Sequence, residues 1–278
     1  MKPFTLGYIG VGLMGGPMTK RLASLGWQVR GYDIVPERSG TASVAEAARG
    51  ADVVALNLPT NEAVEDVLAK LLPVVRAPQL VLDFSTIPVD ACRAHAQRLE
   101  AATGCRWVDA PVSGGPPASA AGSLTVMAGG DARDLERLAP LMRDIAQRCT
   151  HMGPVGAGLA AKMINQLIVG VGMAMLAEAF GLCEKAGIDA ARIPECLGGG
   201  YADSNVMKAY WPRMVERDFA PRGYVRQLLK DLEMVHAWAG AMNAPTPALK
   251  AALEAYRELK KGGASELDTA AIVTLYLP

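Results

Sequence analysis

The sequence carries no surplus of charge of either sign. Lysine plus arginine and aspartate plus glutamate number 28 each in 278 residues. No basic excess is therefore available to neutralise nucleic-acid phosphates, and no acidic excess points to a disordered tail. Paired cysteines are also missing. Cys92, Cys105, Cys149, Cys183 and Cys196 lie far apart, form no Cys-x-x-Cys and are odd in number. That pattern gives no metal site and no disulfide framework, and it fits reduced thiols in a cytoplasm. Nor is there a long apolar run: the most apolar stretch, Leu167 to Ala177, is bounded by Asn165, Gln166 and Glu178. It falls short of the ~20 residues a spanning helix needs, so no membrane insertion is expected. The apolar start from Lys2 to Met18 loosely imitates a leader, but Gly7, Gly10, Gly12, Gly15 and Gly16 break it into a strand and a turn. No repeat or low-complexity segment stands out. What remains, 51% hydrophobic and 20% charged residues, is enough for a sizeable core in two domains that handle a small molecule.

From Phe4 to about Met152, short β-rich runs alternate with helical stretches, the signature of βαβ units building a parallel sheet. The expected strands are Phe4–Ile9, Gln28–Asp33, Val53–Leu58, Leu80–Asp83 and Arg106–Ala110, with another at Ser123–Ala128 after a Gly/Pro-rich loop. Met14–Leu25, Asn61–Val75 and Val89–Thr103 carry apolar residues at helical spacing and supply the crossovers. From Gly158 strand signals nearly vanish. A helical run of about 28 residues reaches Lys185 and stops at Gly187, as a helix C-cap would. Further helices are expected at Ala190–Leu197, Asn205–Val215, Val225–Ala239 and Pro247–Lys260. The fold class is thus α/β: a Rossmann-type doubly wound sheet over residues 1–157 binding a dinucleotide, then an all-α domain over 158–278, joined by one long helix.

Gly10-Val11-Gly12-Leu13-Met14-Gly15 follows the first strand and opens the first helix, the context a dinucleotide fingerprint requires. Gly10 permits the tight turn, Gly12 lets backbone approach a pyrophosphate, and Gly15 permits close packing of helix on strand. The diphosphate then rests on the helix N-terminus, where free N–H groups and the dipole favour negative charge. Asp33 ends the second strand about 20 residues on, where a carboxylate accepts from ribose hydroxyls and repels a 2′-phosphate. That favours NAD, with NADP as the alternative cofactor. A flavin nucleotide on the same fold, and a solvated turn residue at position 33, are the competing readings.

Asp109-Ala110-Pro111-Val112-Ser113-Gly114-Gly115 follows the fifth strand and so lies at the carboxyl edge of the sheet, where open α/β folds bind ligands. Ser113 offers a hydroxyl, and Gly114 and Gly115 can turn two backbone N–H groups toward one carboxylate. A flexible Gly/Pro turn is the plainer alternative. Gly156-Ala157-Gly158 precedes the long helix, on which Lys162, Asn165 and Gln166 are three and four residues apart and share a face. Polar groups on an otherwise apolar helix demand partners. A lysine snorkelling to solvent beside two capping amides is the competing reading.

Together these segments resemble the 3-hydroxyisobutyrate dehydrogenase, or β-hydroxyacid dehydrogenase, family over nearly the whole length. The resemblance rests on Gly7 to Gly15 with Met18, Asp83-Phe84-Ser85-Thr86, Asp109 to Gly115 with Gly122 and Thr125, Gly156-Ala157-Gly158 with Lys162 and Asn165-Gln166, and Lys230-Asp231-Leu232. It implies hydride transfer between NAD(H) and a small β-hydroxy carboxylate or its semialdehyde, with Lys162 as general acid/base. It further implies that Ser113, Gly114 and Gly115 hold the substrate carboxylate, that Asn165 and Gln166 hold the substrate, and that Asp231 orients Lys162. Cofactor contacts fall to Leu58, Pro59, Thr86 and Lys230 besides Val11, Leu13, Met14 and the fingerprint glycines. Many members carry two asparagines after the lysine. The Asn165-Gln166 of this chain is similar to tartronate semialdehyde reductases and to other bacterial members, and Arg222 and Arg226 beside the Lys230-Asp231 pair are unusual. Rival readings are an imine reductase, which would usually lack the lysine, a short relative of 6-phosphogluconate dehydrogenase, which would carry a longer helical domain, and a non-catalytic NAD(P)-binding protein. The apolar surface of Ile164 to Leu182 leads us to expect a homodimer or homotetramer.

Overall fold

The computed structural model describes residues 2–277. The chain divides into two compact units between Lys162 and Met163. In the first, β1 (Leu6–Ile9), α1 (Gly15–Ser24), β2 (Val29–Tyr32), α2 (Val44–Ala48), β3 (Val53–Leu56), α3 (Asn61–Leu71), β4 (Leu80–Asp83), α4 (Val89–Thr103) and β5 (Arg106–Asp109) alternate along the chain. There follow β6 (Val112–Ser113), α5 (Gly115–Ala121), β7 (Leu124–Gly129), α6 (Ala132–Ile145), β8 (Ala146–Gly153) and the first turns of α7 (Ala157–Ala186). The sheet runs β2-β1-β3-β4-β5-β7-β6, with β8 paired to β7. Its first five strands are parallel. Chain order reverses between β1 and β3, so the crevice beyond their carboxyl ends is the topological switch point where doubly wound sheets take ligands.

The central strands are Val- and Leu-rich because helices cover both of their faces: all four residues of β1, β3 and β4 are buried. Short polar side chains start several of the helices. Thr60 accepts the Ala63 N–H at 3.2 Å to start α3, and Asp131 accepts the Arg133 N–H at 2.9 Å to start α6. Gly104, with φ +72°, ends α4.

The expected elements are present, Leu80–Asp83 and Val89–Thr103 with the same ends and the others with ends moved by up to four residues, and the expected helix Ala190–Leu197 begins as a 3-10 turn over Ala190–Arg192. Three features differ in kind. The Gly/Pro-rich loop after Ser113 is helical, because Pro116 and Pro117 at the first positions of α5 pre-set helical φ and donate nothing that is missed there. Residues 132–153, which carry no separate expectation, form α6 and the edge strand β8. The long helix is 30 residues, and by length and composition it is apolar enough to cross a membrane, because alanine, methionine and glycine extend the apolar stretch on both sides of Leu167–Ala177. Half of that window is buried within the fold.

The second unit takes the rest of α7, then α8 (Ile193–Leu197), α9 (Asn205–Glu216), α10 (Val225–Ala241), α11 (Pro247–Lys261) and a final 3-10 turn run, Thr269–Tyr276. Phe180 and Trp211 meet at 5.4 Å in its core. A buried Arg213–Asp268 ion pair, 2.6 Å, ties α9 to the C-terminal turns.

Candidate active site

Each fingerprint glycine has its own steric reason. Gly10 has φ +97°, and a Cβ there would lie 2.2 Å from the Asn57 carbonyl oxygen. A Cβ on Gly15 would lie 2.0 Å from the Gly10 oxygen. Gly12 is different, because the nearest atom to its absent Cβ is Arg38 Nη1 at 4.0 Å. Open space in front of Gly12 is what close approach of a pyrophosphate needs. The N-terminus of α1 suits the same group: it has no side-chain cap and no acidic residue in its first turn, so its N–H groups and dipole stay available to an anion. These residues therefore fit a dinucleotide.

Asp33 is nine-tenths buried and fixes the loop as well as facing it. Its Oδ2 accepts the Val11 N–H at 2.7 Å and its Oδ1 accepts the Val35 N–H at 2.9 Å. Each carboxylate oxygen can take a second donor, so capacity for ribose hydroxyls remains. At the carboxyl ends of β3 and β4, Ser85 Oγ accepts the Leu58 N–H at 2.9 Å while the Ser85 N–H donates to Asp83 Oδ1 at 2.9 Å. This pair of bonds holds the turn of Leu58 and Pro59 against the turn before Thr86. Asp83 is fully buried and its Oδ2 has no hydrogen-bond partner. Desolvation pushes it up to about 7, against the pull of the Ser85 bonds.

Asp109 closes β5 and caps the lysine helix. Its Oδ1 accepts the Gly156 N–H and its Oδ2 the Leu159 N–H, both at 2.8 Å, so the helix starts on a buried carboxyl. Burial raises the Asp109 pKa while these N–H groups lower it, and the net shift is upward. Gly158 is obligatory in this arrangement, since a Cβ would lie 2.4 Å from the Met127 oxygen.

One turn along, Lys162 is buried and its Nζ donates to the Val112 carbonyl at 2.8 Å. Val112 and Ser113 form β6 on β7. Gly114 (φ +127°) and Gly115 (φ +68°) then turn the chain into α5. The ammonium is thus held one residue from the Ser-Gly-Gly segment, joining in space two motifs that lie about 50 residues apart in the chain.

The second unit has a polar set of its own. Gln166 Nε2 donates to Asp231 Oδ2 at 2.6 Å, and Asn165 Nδ2 donates to Gln166 Oε1 at 2.9 Å. Asp231 Oδ1 lies 3.2 Å from Lys230 Nζ. Arg222 pairs with Asp218 at 2.9 Å, and Arg226 pairs with Glu266 at 2.7 Å while lying over the Tyr224 ring. Both unusual arginines are thus engaged by neighbouring side chains.

Sequence reasoning missed Asp109 as a helix cap, Ser85 as a tie between two turns, and Arg38 beside Gly12. The signal for Ser85 was available, because Asp-x-Ser at a strand end is a local hydrogen-bonding turn. Arg38 and the cap of α7 rest on contacts between distant segments. Among the described residues no cluster of metal-ligating side chains occurs.

A parallel sheet with a glycine fingerprint at its switch point defines a dinucleotide-dependent oxidoreductase fold. Comparison with known proteins makes this specific. Residues 5–153 match the NAD-binding domain of 6-phosphogluconate dehydrogenase, and residues 156–276 match the NAD-binding of NADP-dependent 3-hydroxyisobutyrate dehydrogenase. The NAD-dependent L-serine dehydrogenase of Pseudomonas aeruginosa is 35% identical over 98% of both chains. The 2-hydroxy-3-oxopropionate reductase of Escherichia coli is 32% identical over 96% of this chain and 95% of its own. The structure of Mycobacterium tuberculosis 3-hydroxyisobutyrate dehydrogenase with L-serine superposes with a TM-score of 0.88, at 31% identity and covering 98% of both chains. The chain belongs to the 3-hydroxyisobutyrate dehydrogenase family of β-hydroxyacid dehydrogenases. It is an NAD(P)-dependent dehydrogenase acting on a CH–OH group.

Proposed function

We propose that the enzyme interconverts a small β-hydroxy carboxylate and its carbonyl form, with Lys162 carrying the proton. The observation that carries this reading is the bond from Lys162 Nζ to the Val112 carbonyl, beside the Ser113-Gly114-Gly115 turn. NAD(P), when bound, supplies the hydride acceptor or donor. Gly10, Val11, Gly12, Leu13, Met14 and Gly15 cradle its diphosphate, and Leu58, Pro59, Thr86 and Lys230 contact the remainder. Ser113 and the backbone N–H groups of Gly114 and Gly115 take the substrate carboxylate, which fixes the carbon that reacts. In oxidation, Lys162 Nζ takes the hydroxyl proton as the carbonyl forms; in reduction it returns that proton. Asn165 and Gln166, on the next turn of the same helix, hold the substrate.

Asp33 supports NAD over NADP, since its carboxylate, anchored by Val11 and Val35, opposes a 2′-phosphate. The relatives act, by their names, on L-serine, 3-hydroxyisobutyrate, 2-hydroxy-3-oxopropionate and 2-(hydroxymethyl)glutarate, which supports a small β-hydroxy acid or its semialdehyde as the substrate class. Ile164, Ile168, Met175 and Leu182 are all more than half exposed and recur along one side of α7. That stripe, and the reduced thiols, support a cytoplasmic homo-oligomer, and sedimentation as a monomer at micromolar concentration would contradict it. The test of the reaction is a panel of 3-hydroxyisobutyrate, D-glycerate, L-serine, 4-hydroxybutyrate and their semialdehydes with NAD(H) and NADP(H). Turnover confined to β-hydroxy acids with NAD supports the reading; turnover of none of the β-hydroxy pairs overturns it.

A further inference from the structure

We infer that Asp231 is the positioning residue of the substrate-facing amides, acting on Gln166 and, through it, on Asn165. The inference rests on the reading that these amides hold the substrate, and adds what determines which way each of them points.

The chain of cause starts at Gly170, one helical turn beyond Gln166. A Cβ there would lie 2.6 Å from Leu232 Cδ2, so a side chain at 170 would have to displace the Leu232 tip where α10 lies against α7. Leu232 fills the space, and its neighbour Asp231 is thereby brought to Gln166. The resulting bond, Gln166 Nε2 to Asp231 Oδ2, is 2.6 Å, and both side chains are buried, 9% and 8% exposed. A carboxylate only accepts hydrogen bonds, whereas a carboxamide has one end that donates and one that accepts. Facing Asp231, Gln166 must present its nitrogen, and its oxygen is left to face Asn165. Asn165 must then turn its own nitrogen to that oxygen, as it does at 2.9 Å. One acidic residue therefore sets the orientation of two amides, leaving the Asn165 oxygen and one N–H on each amide to meet a ligand. Reach matters as well as polarity, because the glutamine at 166 has one methylene more than asparagine, and the shorter side chain would leave the carboxylate without this donor.

The roles of donor and acceptor can be exchanged. Gln166→Glu sets two carboxylates against each other, and Asp231→Asn keeps an oxygen that can accept from Gln166 but loses the charge and no longer dictates which end of that amide faces it, whereas the double variant restores one donor and one obligate acceptor with the same net charge. In the double variant the new carboxylate at position 166 still accepts from Asn165. Thermal melts of the four proteins read the contact without substrate: each single variant melts lower, and the double variant recovers most of the loss. Steady-state kinetics with the best substrate of the panel read its use. Gln166→Glu and Asp231→Ala, each of which leaves the pair without a matched donor and acceptor, raise substrate KM roughly 10- to 100-fold, the size of a lost hydrogen bond to a charged group, with kcat changed much less. Additive melting losses overturn the inference. Gln166→Ala separates the two ideas: unchanged KM in that variant means that the amides do not hold the substrate, while a raised KM in it with wild-type KM in Asp231→Ala, which removes the acceptor, means that they do and that Asp231 does not position them.

Discussion

Lys162 donates to the Val112 carbonyl at 2.8 Å, which ties the amine to the backbone one residue before Ser113. The amine is placed from behind by Asp109, whose two oxygens take N–H groups of Gly156 and Leu159.

Removing that cap tests the placement. Asp109→Asn keeps one acceptor and turns an NH2 group toward a backbone N–H, leaving a buried donor unmatched at a cost of about 1–3 kcal/mol. The variant should melt several degrees lower in calorimetry and lose kcat, while NADH binding by fluorescence titration stays close to wild type. Wild-type melting and wild-type kcat together would show that the cap does not place the lysine.

Two alanine substitutions in the fingerprint should fail in different ways. In Gly15→Ala the new methyl meets the Gly10 oxygen at 2.0 Å, so backbone must move and the fold itself should be destabilised. In Gly12→Ala the methyl enters open space, so melting should hardly change while NADH affinity falls by about tenfold or more, as expected if backbone must approach the pyrophosphate. Isothermal titration and thermal melts on both variants check the contrast. Equal melting losses would contradict it.

Asp83 makes stability depend on pH in the direction opposite to an ion-paired carboxylate. Its folded value of about 7 lies above the ordinary carboxylate range, so folding disfavours the charged form. The penalty is present in full above about pH 7 and is relieved as pH falls through that value toward the unfolded value near ~3.9. Asp83→Asn, which resembles the neutral acid, should therefore exceed wild type in melting temperature at about pH 8, with the gap narrowing below about pH 7 and closing near about pH 4. Parallel melts across that range check it, and a gap independent of pH would refute it. Asp109, also raised by burial, is common to both proteins and cancels in the difference.

The nucleotide half of the fold was readable in the sequence because its signals are local. Val53 to Leu56 and Leu80 to Asp83 are continuous apolar runs, Gly10 to Gly15 is a backbone requirement written in glycines, and Asp33 follows at a fixed distance. The lysine helix was visible for the same reason, as an apolar run with Lys162, Asn165 and Gln166 on one face. What was not readable depends on meetings between distant segments. Nothing local says that Asp109 accepts the N–H of Gly156, 47 residues later, at the start of a helix, that Gly170 makes room for Leu232, or that Asp231 meets Gln166. The helix from Gly115 to Ala121 was read as a loop because its prolines and glycines are turn formers, and only their position at a helix start reverses their meaning.

The central claim, that Lys162 carries the proton, is tested most directly by Lys162→Ala in single-turnover reactions followed by NADH absorbance. The expected result is a loss of about 10³-fold in the rate of hydride transfer, NADH affinity within about twofold of wild type on the scale set by a few tenths of a kcal/mol, and partial recovery on adding small primary amines. Hydride transfer at the wild-type rate in this variant would contradict the account.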